Sequence, residues 1–137
     1  MANHPIQFID IEVRELSIKR TRPPLPMDPA PQIIVQSGKG QFDAADKVIR
    51  VGIRAIAPAP DQSLSFSLCV ELVGVFAVDT ANFDISNLDP WCEQNAPYIL
   101  NPYLREQVYS LTLRAGSAIL LPMLQVPTTR QTVQPPC

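Results

Sequence analysis

Three stretches in the first 78 residues alternate apolar and polar side chains, a fourth is a short apolar run, and one later stretch repeats with the period of a helix. In Phe8–Lys19, Ile9, Ile11 and Val13 alternate with Asp10, Glu12 and Arg14, and the apolar phase then moves by one to Leu16 and Ile18. A slip of one residue would turn the core side chains of a continuous strand outward, so a β-bulge is predicted near Arg14–Glu15. Gln32–Gln36 predicts a short strand, followed by a polar loop over Ser37–Lys47. Val48–Ala57 places Ile49, Val51, Ile53, Ala55 and Ala57 on one face and Arg50, Gly52 and Arg54 on the other. Leu64–Val78 alternates Leu64, Phe66, Leu68, Val70 and Leu72 with Ser65, Ser67, Cys69 and Glu71. The last two strands are joined by the turn Pro58–Gln62, which predicts an antiparallel hairpin.

The helical period lies between Asn101 and Gly116. Asn101 suits an N-cap, Pro102 the first helical position and Gly116 the stop. Leu104, Val108, Leu111 and Ala115 form one apolar stripe, with Tyr109 and Leu113 opposite and Tyr103 between them. A helix with two apolar faces is expected to pack one on the sheet and the other on a second chain. Asp79–Glu93, with Trp91, reads as a loop. Ala118–Val126 is apolar but broken by Pro122 and followed by Pro127, which argues against a second helix. The expectation is an α+β fold, a four-stranded antiparallel sheet with one long helix packed on it. The chain reads as a single domain over 1–137, its core about 6–126 and its tail 127–137 disordered.

Composition narrows the function. Apolar residues make up 46% of 137 and charged residues 18%, and the net charge is −2, so no basic surface calls for nucleic acid. No apolar run approaches the ~20 residues of a spanning helix, so no membrane insertion is expected. The N-terminus lacks the pattern of a signal peptide, and Cys69, Cys92 and Cys137 are scattered without CxxC spacing. A reducing cytoplasm with no disulfide framework is the resulting expectation.

Candidate chemistry is sparse. His4 is the only histidine and sits in a terminal segment expected to fray, which disfavours a histidine triad or a histidine metal site. Asp79, Asp84 and Asp89 are five apart but lack the spacing and glycine of a calcium loop, so they read as solvated carboxylates. Glu71, Arg105 and Glu106 read as surface or interfacial charges, and Cys69 as a small half-buried residue. No catalytic residue, metal site or cofactor is assigned. The proline-rich crossing Arg20–Pro31 carries Leu25, Met27 and Ala30 among its prolines. It has two readings, a surface connection or an apolar, mouldable wall for a ligand.

The run Ala96–Gly116, APYILNPYLREQVYSLTLRAG, resembles the signature of SecB, the bacterial export chaperone, at Pro97, Ile99, Leu100, Pro102, Tyr103, Arg105 and Glu106. The strand ending Gly74-Val75-Phe76 is similar to the family's strand ending in G-I-F, and the resemblance spans roughly residues 6–126. It implies a sheet with helices on one side, a homo-oligomer built as a dimer of dimers, and unfolded polypeptide clients bound without ATP in apolar grooves. Client contact is then expected at Leu25, Met27, Ile33 and Val35, and after Gly116 at Met123 and Leu124. Oligomer contact is expected at Tyr103, Tyr109 and Leu113.

The family's acidic patch for the SecA motor keeps Glu15, but Lys19 and Cys69 stand where carboxylates are expected. Fold and client binding therefore carry over better than the SecA handover. A chaperone for one dedicated client outside the Sec pathway is the alternative. An adaptor that kept the fold but lost the groove, and a small-molecule enzyme or carrier using a pocket under the Asp79–Trp91 loop, remain as readings of other classes.

Overall fold

Strand β1, Ile6–Arg20, keeps Ile6, Phe8, Ile11, Val13, Leu16 and Ile18 on one face of the sheet over its 15 residues by interrupting its own alternation twice. It pairs antiparallel with β4, Phe66–Val78, and sets Phe8 opposite Phe76, Ile11 opposite Gly74, Val13 opposite Leu72 and Leu16 opposite Val70. The register shifts between Val13 and Glu15, where the apolar phase predicts a bulge, and again between Phe8 and Asp10. The second shift makes Ile9 the extra residue and leaves it 56% exposed. An exposed isoleucine carries no phase information, so the pattern alone does not reveal this bulge.

A computed structural model describes residues 4–59, 62–116 and 118–121, and the backbone of 129–130. Strands β2, Ile34–Lys39, and β3, Val48–Ala57, complete the antiparallel part of the sheet. Strand β5, Thr129–Arg130, adds to β2 in parallel, so the order is β1-β4-β3-β2-β5. The expected sheet of four antiparallel strands is present and carries this short fifth strand at its edge.

One face of the sheet carries the core, in which Ile49, Val51, Ile53 and Ala55 of β3 meet Leu68, Val70, Leu72 and Phe76 of β4. Helix α1, Leu88–Arg114, lies on that face. It begins well before the expected start, led in by a 3-10 turn at Ile85–Asn87 whose N-cap, Asp84, accepts the Ser86 N–H at 3.0 Å. Asn101 is therefore not an N-cap. It lies inside the helix, 6% exposed, between Pro97 and Pro102. Trp91, expected in a loop, is helical and packs edge-on against Phe76 at 5.6 Å.

Magnitudes explain why the helix survives its prolines. Each interior proline costs ~3 kcal/mol or more, so two cost at least ~6. Leu88, Leu100, Leu104 and Val108 are all essentially fully buried. At ~1.5–3 kcal/mol each, they return ~6–12 kcal/mol. The buried line runs Leu88, Cys92, Ala96, Leu100, Leu104, Val108, Thr112, a strict spacing of four. Four residues turn an ideal helix by ~400°, so the line drifts ~40° per step and winds around the helix. Contact along such an i±4 ridge suits a helix lying across a twisted sheet.

Gly116, at φ +87°, ends the turn after α1 in the left-handed conformation glycine tolerates best. Arg20 at the end of β1 donates through Nη2 to the Ala115 carbonyl at 3.0 Å and through Nη1 to Ser65 Oγ at 3.1 Å. A cation at this position complements the negative end of the helix.

Candidate functional site

The segment between β1 and β2 must cross the end of the sheet, because its two strands lie on opposite sides of the antiparallel four. Its prolines forbid regular pairing, and a few polar groups hold it instead. Thr21 donates its N–H to the Ser65 carbonyl at 2.8 Å and its hydroxyl to the Leu64 carbonyl at 3.0 Å. Arg22 grips Asp28 with Nη2 at 2.7 Å and Nη1 at 3.2 Å, and Asp28 Oδ2 also accepts the Leu25 N–H at 2.8 Å. The Arg22 guanidinium, and then the Leu25 N–H, hold the Asp28 carboxyl below its ordinary pKa. Farther on, Gln62 accepts the Gln32 N–H at 3.0 Å and donates to the Ala30 carbonyl at 2.9 Å.

This bracing leaves apolar side chains in solvent. Leu25 is 58% and Met27 92% exposed on the turn that Arg22 and Asp28 close. Ile33 and Val35, where the crossing enters β2, are half-buried against the core. The four residues therefore differ in kind, with two presented outward and two embedded. Met123 and Leu124 lie outside the described residues.

Among the described residues, the outer edge of β2 meets β5 at Gln36, paired with Thr129, and Ser37, paired with Arg130. On its other side β2 pairs with β3 over all six residues, from Ile34 opposite Ile56 to Lys39 opposite Val51. Gln36 is buried, and its Oε1 accepts from Nε and Nη2 of buried Arg54 at 3.2 and 2.6 Å.

After Gly116 the chain turns back along α1. Thr112 Oγ donates to the Val108 carbonyl at 2.7 Å and accepts the Ile119 N–H at 2.9 Å, and Arg105 Nε donates to the Leu121 carbonyl at 2.7 Å. Arg105, read from sequence as solvated or interfacial, instead anchors this return; its partner is a backbone carbonyl 16 residues away, which no side-chain pattern announces. The other helix side carries Tyr103, Tyr109 and Leu113 at 41%, 43% and 54% exposure. Tyr103 also meets Phe8 edge-on, with ring centres 5.5 Å apart.

On the outer face of the sheet Glu15 pairs across strands with Glu71, which faces Arg54 on its other side. Arg50 Nε bonds Glu12 at 3.0 Å, and Arg14, Arg50 and Glu71 rim a hollow of about 200 Å³ floored by Gly38 and Gly52. The surface around Glu15 is thus mixed in charge.

The loop carboxylates do not converge. Asp79 is spent on Asn82 and the Ala81 N–H, Asp84 on Ser86, and Asp89 on Lys39 at 3.2 Å. The bonds from Asn82 and from the Ser86 N–H, respectively, lower the Asp79 and Asp84 pKa values. Among the described residues, no group of histidine, cysteine and carboxylate side chains could hold a metal ion, and no helix is long and apolar enough to cross a membrane. A hollow of about 690 Å³ near Asp79 is lined by His4, Asp46, Lys47 and Asn82, all exposed, with no nucleophile beside a base. His4 itself is tied down, accepting the Ile6 N–H at 3.0 Å and lying beside Trp91.

Cys92 is free and buried, and burial pushes its thiol up to about 11. Cys69 is disulfide-bonded, which overturns the expectation of three free thiols. Sequence spacing does not tell which thiols a fold brings together, and a cytoplasmic location loses the support that free thiols lent it.

Compared by sequence, the chain matches no family model and no curated protein. Compared by structure, it is similar to Rv1957 of Mycobacterium tuberculosis, a SecB-like chaperone solved in complex with a ChAD peptide from the Rv1956 HigA1 antitoxin. The TM-score is 0.72 at 21% identity, over 88% of this chain and 91% of that one. The chain has the SecB-like fold. A second structure, a protein of unknown function from Streptococcus agalactiae, matches with a TM-score of 0.48 at 14% identity, over 88% of this chain and 99% of that one. The helix holding Pro97, Pro102 and Arg105 and the strand holding Gly74 and Phe76 pack directly on one another.

Proposed function

We propose that this protein is an ATP-independent holdase that binds unfolded polypeptide through the crossing and the adjoining β2 edge. The observation that carries the reading is the braced crossing of a SecB-like fold, which presents Leu25 and Met27 to solvent beside the Arg22–Asp28 pair. An unfolded client exposes apolar side chains and unpaired backbone groups. Apolar loop residues beside a strand edge answer both needs without reading sequence. Ile33 and Val35 would extend the apolar contact into β2, and Met123 and Leu124 belong to the same proposal.

The chain would work as a homo-oligomer, a dimer of dimers, through Tyr103, Tyr109 and Leu113. Val13 and Leu16, on the helix side of β1 and 54% and 42% exposed, support an interface there. The mixed charge around Glu15 favours a dedicated client over handover to SecA in protein export, because like-signed patches steer a partner and mixed ones do not. The proposal includes action in the cytoplasm and no chemical catalysis.

The test is suppression of aggregation when a chemically unfolded protein is diluted into the chain without nucleotide. Suppression near one oligomer per client, weakened several-fold in a Leu25→Ser, Met27→Ser variant, is the expected result. Failure to suppress at several-fold excess would sink the holdase reading and favour an adaptor that inherited the fold.

A further inference from the structure

We propose that Thr129–Arg130 is an internal competitor for the β2 edge, occupying the place that an extended client strand takes. The inference rests on the holdase reading and adds a means of regulation. Among the described residues, strand β5 covers Gln36 and Ser37 of the six residues of β2. Among the described residues, Ile34 and Val35 on one side of that pairing, and Gly38 and Lys39 on the other, have no strand beside them on this edge. A longer extended chain would therefore make the two pairings that β5 makes and add others along the same strand. An edge of this kind is a general template for strand addition, and its contacts are main-chain groups that any polypeptide possesses.

The geometry also says what such a client must look like. Neighbouring strands place paired residues on the same face of the sheet. On the helix face β2 offers half-buried Val35, preceded by Ile33. On the outer face it offers Gln36, held by Arg54. The fitting partner is an extended segment alternating apolar with polar residues, aligned in parallel with β2 as β5 is. The tail does not have to bind tightly to act. It reaches the edge as part of the same chain, and its occupancy lowers apparent client affinity by the fraction of molecules left open.

The experiment compares the full chain with a Thr129→Pro, Arg130→Pro variant, because proline supplies no N–H to a ladder. The probe is reduced and alkylated α-lactalbumin, a permanently unfolded polypeptide, and unchanged thermal unfolding shows that the variant folds. The variant is expected to bind the probe roughly threefold tighter or more. A peptide of residues 122–137 carrying Cys137→Ser, added in trans, is expected to compete with the probe for both proteins. The trans measurement stands if the variant fails to fold. Equal probe affinity for both proteins, or weaker binding by the variant, overturns the competitor and leaves the holdase reading intact. Binding by neither protein overturns the holdase reading, and the competitor with it.

Discussion

A methyl group built on Gly74 would lie 2.5 Å from Cδ2 and 3.3 Å from Cδ1 of Leu100. The glycine sits on the helix face of β4 opposite Ile11, and Leu100 is wholly buried on α1. Phe76 Cε2, at 3.0 Å from the same point, closes the remaining side. The absent side chain is what lets the helix lie this close to the strand. Gly74→Ala is expected to destabilise the fold by ~1–3 kcal/mol through overpacking, even though alanine suits a strand backbone no less than glycine. Urea denaturation measures this. A companion Leu100→Ala change should recover part of the Gly74→Ala loss, and simple additivity of the two would break the proposed contact.

Asn101 gives a second outcome, because its sequence reading and its structural position predict opposite signs. As an N-cap, its replacement by alanine would cost ~1 kcal/mol. In the structure it is buried within α1, and its Oδ1 has no hydrogen-bond partner. Removing an unsatisfied acceptor relieves a desolvation penalty, and alanine is the better helix former. Asn101→Ala is therefore expected to leave stability unchanged or raise it by up to ~1 kcal/mol. Thermal unfolding of the variant against the parent decides between the two positions.

The Arg22–Asp28 pair makes the order of the crossing sensitive to acid. Asp28 has its pKa lowered by the Arg22 hydrogen bonds first and the Leu25 N–H second. A carboxyl with a folded pKa below its unfolded value of ~3.9 contributes its full stabilisation above that value. The contribution is lost as pH falls through the depressed folded pKa. Amide-exchange protection at Leu25 should thus be constant at neutral pH and collapse only in strong acid. Asp28→Asn should reduce the protection at neutral pH and remove the acid step. A step that survives the substitution would assign the effect to another carboxylate.

Much of the fold is legible because its strands are half-buried, so that each residue reports its own side. The change of phase between Val13 and Leu16 marks the bulge at Arg14, and Gly116 marks the end of α1. The start of α1 is hidden for a physical reason. Pro97 and Pro102 read locally as boundaries, and only the burial of Leu88, Cys92, Ala96 and Leu100 against β3 and β4 makes a helix through them favourable. The exposed Ile9 hides its bulge in the same way, by pointing where no pattern requires it.

The candidate surface divides along a similar line. Leu25 and Met27 stand out in the sequence as apolar residues among prolines. Their exposure, however, depends on Arg22 meeting Asp28 and on Gln62 meeting Ala30, the latter a contact across 32 positions. Sequence by itself determined the strands, the helix face carrying Leu104 and Val108, the stop at Gly116 and the shortage of catalytic side chains, because each is a matter of local conformation or of composition. Tertiary structure alone decided that Asn101 is interior, that Arg105 holds the returning chain, that Cys69 is bonded and that Thr129–Arg130 lies on the edge of β2. Each of those outcomes depends on groups far apart along the chain being brought within bonding distance, and nothing in a residue's immediate neighbours encodes that.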